Sequence, residues 1–491
     1  DPLLSADMHT RAVRLQHERG AFDERDTALG RARIAINAVQ TEAERVWMSI
    51  DLDSAEASIV RERNPQRAVE LLTQAAEFCR NSDRRLYLPQ ILLDRGRTYL
   101  AANDAERAWR DFAAGIDELE SQRGAIANLE LRSRMLNTAE DLFDEAIALQ
   151  VRRNDANAAF QLAERARARA LLDVVEKAPV ANVSDVAKEL DRDTALVEYA
   201  VLPESLVIFS IRDGAMRMHT VAVKVSESTP AEVLLGPVKD DIAAAKKIIF
   251  VPDKILQRVP FGQYLVQSHA VEIAPSASFL VARKIEKTKQ RSVLIVGNPA
   301  PNPDENLEAL PSVEREVDDV GAIYRPARVI FGPDATKQRF ISEAPNYDVI
   351  HFAGHGVSDE ESLTASLLFA KTKTDSGRMY MSDIAKLKLP RAPLVVLAAC
   401  GTLRGKAAGV EGMPSLARSF LAAGASTVIG TLWDIDDAKS ATLLASFHRH
   451  IVAGDSPAVA LQSAQREAIA RGGEDADPKN WAPFVVYTAT P

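Results

Sequence analysis

Two different periods of hydrophobic positions divide the chain. Over residues 1–180, alanine and leucine recur at i, i+3, i+4 and i+7, in segments such as TALGRARIAINAV, PQRAVELLTQAAEF, AERAWRDFAAGIDEL and ANAAFQLAERARARALL. That spacing lines one face of a helix. Short polar breaks separate the segments, at Asn64-Pro65, Asn81-Ser82-Asp83, Asn103-Asp104 and Asn154-Asp155. The last two stand just ahead of helical stretches, where a side-chain cap is favoured. Helix after helix is therefore predicted, paired through small residues and tight turns.

From about Ala195 the period shortens. ALVEYAV, SLVIFSI and MRMHTVAV read as strands, with Asp213-Gly214 as a hairpin turn between the last two. KKIIFVP, a short helix near Phe261–Gln267 and the strand VEIAP follow. This part reads as α/β with an antiparallel edge and holds no cluster of reactive groups. A second α/β pattern starts at Ser292 with SVLIVG, a helix over SVEREVDDVGAIY, the strand ARVIF and the helix DATKQRFISEA, for which Asp334 is the expected cap. LTASLLFA, the helix PSLARSFLAAGA stopped by Gly424, the strand STVIGTLW and helices over 437–452 and 456–471 complete it. Strands alternating with helices at this spacing predict a mainly parallel sheet.

Two runs in that part carry reactive residues. YDVIHFAGHG, Tyr347 to Gly356, delivers His355, and APLVVLAACGT, Ala392 to Thr402, delivers Cys400. Both are apolar almost without interruption, as parallel strands buried on both faces are. Chemistry in open α/β sheets gathers beyond the carboxyl ends of such strands. A thiol and an imidazole at two such ends suggest cysteine nucleophilic catalysis. His355 would protonate the leaving amine, and backbone N–H groups near Gly356 and Cys400 would face the oxyanion. Ala398-Ala399, Gly401 and Gly356 leave room for a substrate backbone. The bland alternative is a buried structural cysteine. His351 and His355 have HxxxH spacing, but on a strand and without a third ligand nearby, so no metal is expected and His351 reads as a satisfied residue inside the sheet. GNPAP after the first strand lacks the features of a phosphate loop, so no cofactor is expected.

Composition narrows the picture. The chain has 491 residues, 46% apolar and 26% charged, with a net charge of −9. That length suits two to four domains. The acidic balance and the lack of a Lys/Arg-rich block argue against a nucleic-acid partner. No run reaches about 18 apolar residues, so no membrane span is expected. Phe420–Trp433 comes nearest and is broken by Gly424 and Gly430. Two cysteines, Cys79 and Cys400, exclude a disulfide scaffold. Cys79, in LLTQAAEFCR, reads as a small buried apolar residue. A working thiol fits a reducing compartment, so a cytoplasmic location is expected. The chain starts at Asp1 without a signal-like segment, a start that trimming and processing both fit.

Two resemblances follow from these residues. Leu88 to Leu119, LPQILLDRGRTYLAANDAERAWRDFAAGIDEL, is similar to a tetratricopeptide repeat, although spacing elsewhere departs from the period of roughly 34 residues; a plain helical bundle is the alternative. HFAGHG, LVVLAACGT, GVEGMPSLARSFLAAGASTVIGTLWDIDD and NWAPFVVYT, supported by VPDKILQRVPFG and IVGNP, resemble the CHAT family from about Ala195 onward. AERARARALLD, Ala163 to Asp173, resembles the helix that joins repeats to peptidase in that family. These are caspase- and separase-like cysteine peptidases fused to tetratricopeptide repeats, mostly bacterial, often in defence or regulated cell death. The resemblance implies a His355–Cys400 dyad. By analogy with separase, which cleaves after Arg, it implies a basic P1 side chain received by Asp437, or by Asp434 or Asp436. Helix capping by Asp434 and Asp437 is the competing role. Glu411-Gly412 also matches a family motif and would hold the loop beside Cys400.

The expected architecture is therefore α followed by α/β. A helical, tetratricopeptide-like array spans 1–180. An N-terminal, pseudo-caspase-like part spans 181–290, and a catalytic caspase-like part with a mainly parallel central sheet spans 291–491. The expected function is a cysteine endopeptidase acting on a protein substrate, with an activator or regulator bound by the repeats. KTKTDSGR, Lys371 to Arg378, is a basic loop between the two site strands that suits autocleavage. A catalytically silent binding scaffold and a thiol acyltransferase are the rivals.

Overall fold

The computed structural model of the protein describes residues 1–122, 129–167, 179–283, 292–299, 307, 310–359, 364–399 and 415–490. It divides into two compact units, Asp1–Leu162 and Ala163–Pro491.

The first unit is helical, built from Pro2–Glu18, Phe22–Asn37, Glu42–Val60, Pro65–Arg80, Leu88–Ala101, Ala105–Gln122 and Leu129–Arg152. The helix Ala156–Arg167 continues from it into the second unit. The polar breaks do what their chemistry suggests. Asn64 accepts the Arg67 amide at 3.1 Å with Pro65 as first helical residue, and Asp104 and Asp155 accept the Arg107 and Ala158 amides, each at 2.9 Å. Asn103 and Asn154 take φ of 59° and 56°, the left-handed turn by which a preceding helix ends. Small residues let paired helices approach: a Cβ on Gly96 would lie 2.4 Å from the Phe112 ring. This geometry is consistent with helical repeats. Cys79 is fully buried as expected, and burial, with Asp51 nearby, pushes its thiol up to about 11 against the pull of Arg84.

The second unit is organised by its strands: β1 (Thr194–Val201), β2 (Leu206–Arg212), β3 (Ala215–Val221), β4 (Lys247–Val251), β5 (Ala270–Ile273), β6 (Val293–Gly297), β7 (Ala327–Phe331), β8 (Val349–Ala353), β9 (Gly356–Asp359), β10 (Thr364–Leu368), β11 (Arg378–Tyr380), β12 (Leu394–Ala398), β13 (Thr427–Thr431) and β14 (Phe484–Thr488). Among the described residues one 11-stranded sheet runs β3-β2-β1-β4-β5-β14-β13-β12-β8-β6-β7, and a second sheet runs β11-β10-β9. The antiparallel edge foreseen at β1–β3 is present, with Asp213 and Gly214 at φ 51° and 79° as a two-residue hairpin turn demands. The sequence reading left NWAPFVVYT without a structural role; Phe484–Thr488 within it forms β14. It pairs antiparallel with β13 and parallel with β5, and so joins the two halves of the sheet. Beyond that junction β13, β12, β8, β6 and β7 run together in one direction.

Alternate residues of these strands feed separate cores. Leu294, Val296, Ile350, Phe352, Val395 and Leu397 lie in one. Val293, Ile295, Val349, Leu394 and Val396 lie in the other, beneath the helices Val313–Ile323, Asp437–Ala453 and Pro457–Arg471. Burying such a side chain is worth about 1.5–3 kcal/mol, which rules out a register slip. One cap assignment differs from expectation. Thr336, not Asp334, caps the helix Lys337–Glu343 by accepting the Arg339 amide at 3.3 Å, because Asp334 is taken into a 3-10 turn, Gly332–Asp334. Gly424 does end Leu416–Ala423, at φ 117°, where a Cβ would meet the Leu389 carbonyl at 2.8 Å.

A buried ionic cluster ties the end of Ala156–Arg167 to the sheet. Glu164 accepts the Ala277 and Ser278 amides at 2.9 and 2.5 Å, and Arg167 reaches Glu198 of β1 at 2.7 Å as well as the Tyr199 carbonyl. Burial and the neighbouring Glu164 carry Glu198 well above the usual carboxylate range, against the pull of Arg167.

Candidate active site

β8 and β12 lie side by side in parallel register, Val349 against Leu394 through to Ala353 against Ala398. Both are central and buried, and both end at the same edge of the sheet. The ladder extends one position beyond β8, where the Gly354 amide donates to the Ala398 carbonyl at 3.2 Å. His355 follows, half-buried, at the turn from β8 into β9, and its carbonyl accepts the Leu368 amide of β10 at 3.0 Å. Gly356 opens β9, opposite Leu367. The imidazole thus stands where the large sheet hands over to the small one. On the neighbouring strand the described chain ends at Ala399, whose carbonyl accepts the Thr431 hydroxyl at 3.2 Å. Cys400, Glu411 and Gly412 lie outside the described residues.

The three acids of LWDIDD have different surroundings. Asp436 caps Asp437–Ala453, accepting the Ala438 and Lys439 amides at 3.0 and 3.1 Å. The capping role weighed for Asp434 and Asp437 is therefore filled by Asp436. Asp437 is half-buried and accepts the Ser312 amide at 2.6 Å, which ties its helix to the start of Val313–Ile323. Asp434 is exposed. In KTKTDSGR, Lys371 to Thr374 are exposed, while Asp375 turns back onto the Gly377 amide at 2.7 Å.

His351 is fully buried in β8, inside the sheet as expected, with Nδ1 partnered and Nε2 without an aligned hydrogen bond. The sequence did not reveal its partners. Tyr324 Oη lies 2.9 Å from His448 Nδ1, and His448 Nε2 lies 3.1 Å from His351 Nδ1. His351 Nε2 is 3.1 Å from Glu316 Oε1, near enough for attraction though not aligned as a hydrogen bond. Burial, with His351 beside it, drives His448 well below the ordinary histidine range. This chain of polar groups links β8 to the helices Val313–Ile323 and Asp437–Ala453. Among the described residues no group of three or more His, Cys, Asp or Glu is placed to hold a metal ion, and no helix is long and apolar enough to cross a membrane. Thr431 and Ser312 were also missed; a threonine at a strand end and a serine ahead of a helix carry no signal of their distant partners.

The comparisons with known proteins point the same way as the fold. Tetratricopeptide repeat protein 28 of Homo sapiens is 25% identical over 289 residues, covering 49% of this chain and 11% of that protein. Its Mus musculus counterpart is 24% identical over 291 residues, covering 49% and 12%. The chain thus spans about a tenth of the length of these curated relatives. The crystal structure of the Saccharomyces cerevisiae separase–securin complex matches with a TM-score of 0.54 at 9% identity, over 99% of this chain and 47% of that one. At that identity the likeness concerns the fold: helices followed by a caspase-like, mostly parallel sheet of the separase kind. The CHAT domain model matches residues 229–489, more than half of the sequence, and the chain belongs to the CHAT domain family.

Proposed function

We propose that this protein is a cysteine endopeptidase that cleaves a protein substrate with a His355–Cys400 dyad. The parallel register carries the argument. β8 and β12 end side by side with Ala353 against Ala398, and in the sequence His355 and Cys400 each follow two residues later. In the proposed reaction the Cys400 thiolate attacks the scissile carbonyl and forms a tetrahedral oxyanion, faced by the backbone amides of Gly356 and Cys400. The C–N bond then breaks as His355 gives its proton to the leaving amine. Water, losing a proton to His355, next attacks the thioester; the acid product leaves and the thiol is restored.

Cleavage after a basic residue is part of the proposal, with Asp437 as the P1 acid. Its contact with Ser312 orients the carboxylate, and a charge-assisted contact with Arg or Lys is the chemistry it suits. Asp434 is the second candidate, and the capping contacts of Asp436 make it the third. Glu411 and Gly412 are proposed to support the loop beside Cys400. We assign 181–290 to a pseudo-caspase-like part and 291–491 to the catalytic part, with residues 1–180 binding an activator or regulator. A cytoplasmic location and a role in bacterial defence or regulated cell death belong to the same reading, as does autocleavage within Lys371–Arg378.

A fluorogenic peptide library varied at P1 tests it, with wild type beside Cys400→Ala. Turnover that needs Cys400 and favours Arg or Lys supports the whole proposal. Turnover favouring Asp keeps the peptidase and discards the acidic pocket. No turnover, with a Cys400 that also resists alkylation by a peptidyl electrophile, would leave a protein-binding scaffold on a caspase-like fold.

A further inference from the structure

One contact beside the proposed dyad has no role so far, and it lies one residue ahead of Cys400. Carbonyls along a strand alternate between its two neighbours. In β12 the Ala398 carbonyl faces β8 and takes the Gly354 amide. The Ala399 carbonyl faces β13 and takes the hydroxyl of Thr431, the last residue of that strand. β13 ends there, and Leu432 donates its amide to the Pro483 carbonyl at 3.0 Å on the β14 side. The threonine side chain thus adds a rung where the backbone has left. Both residues are buried, Thr431 at 3% exposure and Ala399 at 8%. Shape alone does not ask for a hydroxyl here, because valine fills the same volume in a strand.

We propose that Thr431 is a positioning residue for Cys400: its hydroxyl fixes the peptide unit that joins Ala399 to the nucleophile. A peptide unit is planar. Its carbonyl end, on Ala399, is held toward β13 by the Thr431 hydroxyl. One hydroxyl therefore holds the residue from which the nucleophile's backbone starts. This inference rests on the peptidase reading above.

The test compares wild type, Thr431→Val and Thr431→Ser as full chains, below their unfolding midpoints. It reads steady-state cleavage and the rate of Cys400 alkylation by iodoacetamide at neutral pH. Cys79 does not compete, being buried with its thiol pushed up to about 11. Misplacing a reacting group by about 1 Å can cost on the order of 100-fold, so Thr431→Val should lower kcat about 10- to 100-fold with KM nearly unchanged. Thr431→Ser should restore most of it. A Thr431→Val protein with wild-type kcat and alkylation rate overturns the inference, and so does a Thr431→Ser protein as impaired as Thr431→Val. Should Thr431→Val not fold, Thr431→Ala replaces it; water can then reach the Ala399 carbonyl, a smaller fall in the same direction is expected, and no fall overturns the inference. Absence of Cys400-dependent turnover in wild type counts against the peptidase reading and removes kcat as a readout. Alkylation then decides Thr431: slower in Thr431→Val and restored in Thr431→Ser supports it, and equal rates overturn it.

Discussion

His448 and His450 sit two residues apart on the helix Asp437–Ala453 and titrate in opposite directions. Burial, with His351 beside it, lowers His448. Burial also pulls His450 down, but its bonds to Glu467 and Asp455, at 2.9 and 3.0 Å, outweigh that and raise it. The unfolded chain protonates both near pH 6.5, so the signs follow. The contribution of neutral His448 is complete above about pH 6.5 and is lost as pH falls toward its folded value. The contribution of His450 is complete below about pH 6.5 and is lost as pH rises through its folded value. Urea midpoints measured from pH 5 to 9 should therefore decline on both sides. His450→Gln should flatten the alkaline decline, by under about 1 kcal/mol because the site is partly exposed, and leave the acid decline intact. Unchanged profiles would show that neither ring titrates with folding.

Elements show why some of the protein was legible and some was not. Strand periods, the Asp213-Gly214 turn and the Gly424 stop are written locally, and the structure has them where the residues ask. Gly424→Ala should cost about 1–3 kcal/mol in urea unfolding, since a left-handed residue without strain relief has only glycine as its easy occupant. β14 has a local pattern but a non-local place; nothing in FVVYT says that it lies between β5 and β13. LWDIDD offers three acids within four positions, and only the first turn of the helix decides that Asp436 is the cap. Asp436→Ala should lose about 1 kcal/mol of stability and keep P1 preference. Asp437→Asn should keep the fold and lose preference for Arg and Lys. The reverse pattern in a P1 profile would move the pocket to Asp436. The His355 strand end was legible because apolar runs bounded by turn residues mark central parallel strands; the neighbours of His351, Glu316 and His448, were not, because they come from distant positions in the chain.

At the scale of the whole molecule, the cluster at Glu164 and Arg167 makes the end of one helix part of the sheet domain. A fragment starting at residue 163 retains it, whereas a fragment starting at 181 leaves Glu198 buried without Arg167. Breaking such a pair costs about 3–5 kcal/mol, so the shorter fragment should unfold at clearly lower urea. Equal midpoints would show that the cluster contributes nothing. The central claim, that His355 and Cys400 act as a pair, is reached most directly through the thiol itself. The measurement is the rate of iodoacetamide alkylation against pH, for wild type and His355→Gln, with Cys79 silent in its core. The account predicts that Cys400 in wild type titrates at or below about pH 7.5, and that His355→Gln returns it toward about 8.5. A thiol that titrates near 8.5 in both proteins, or does not react in either, would contradict it.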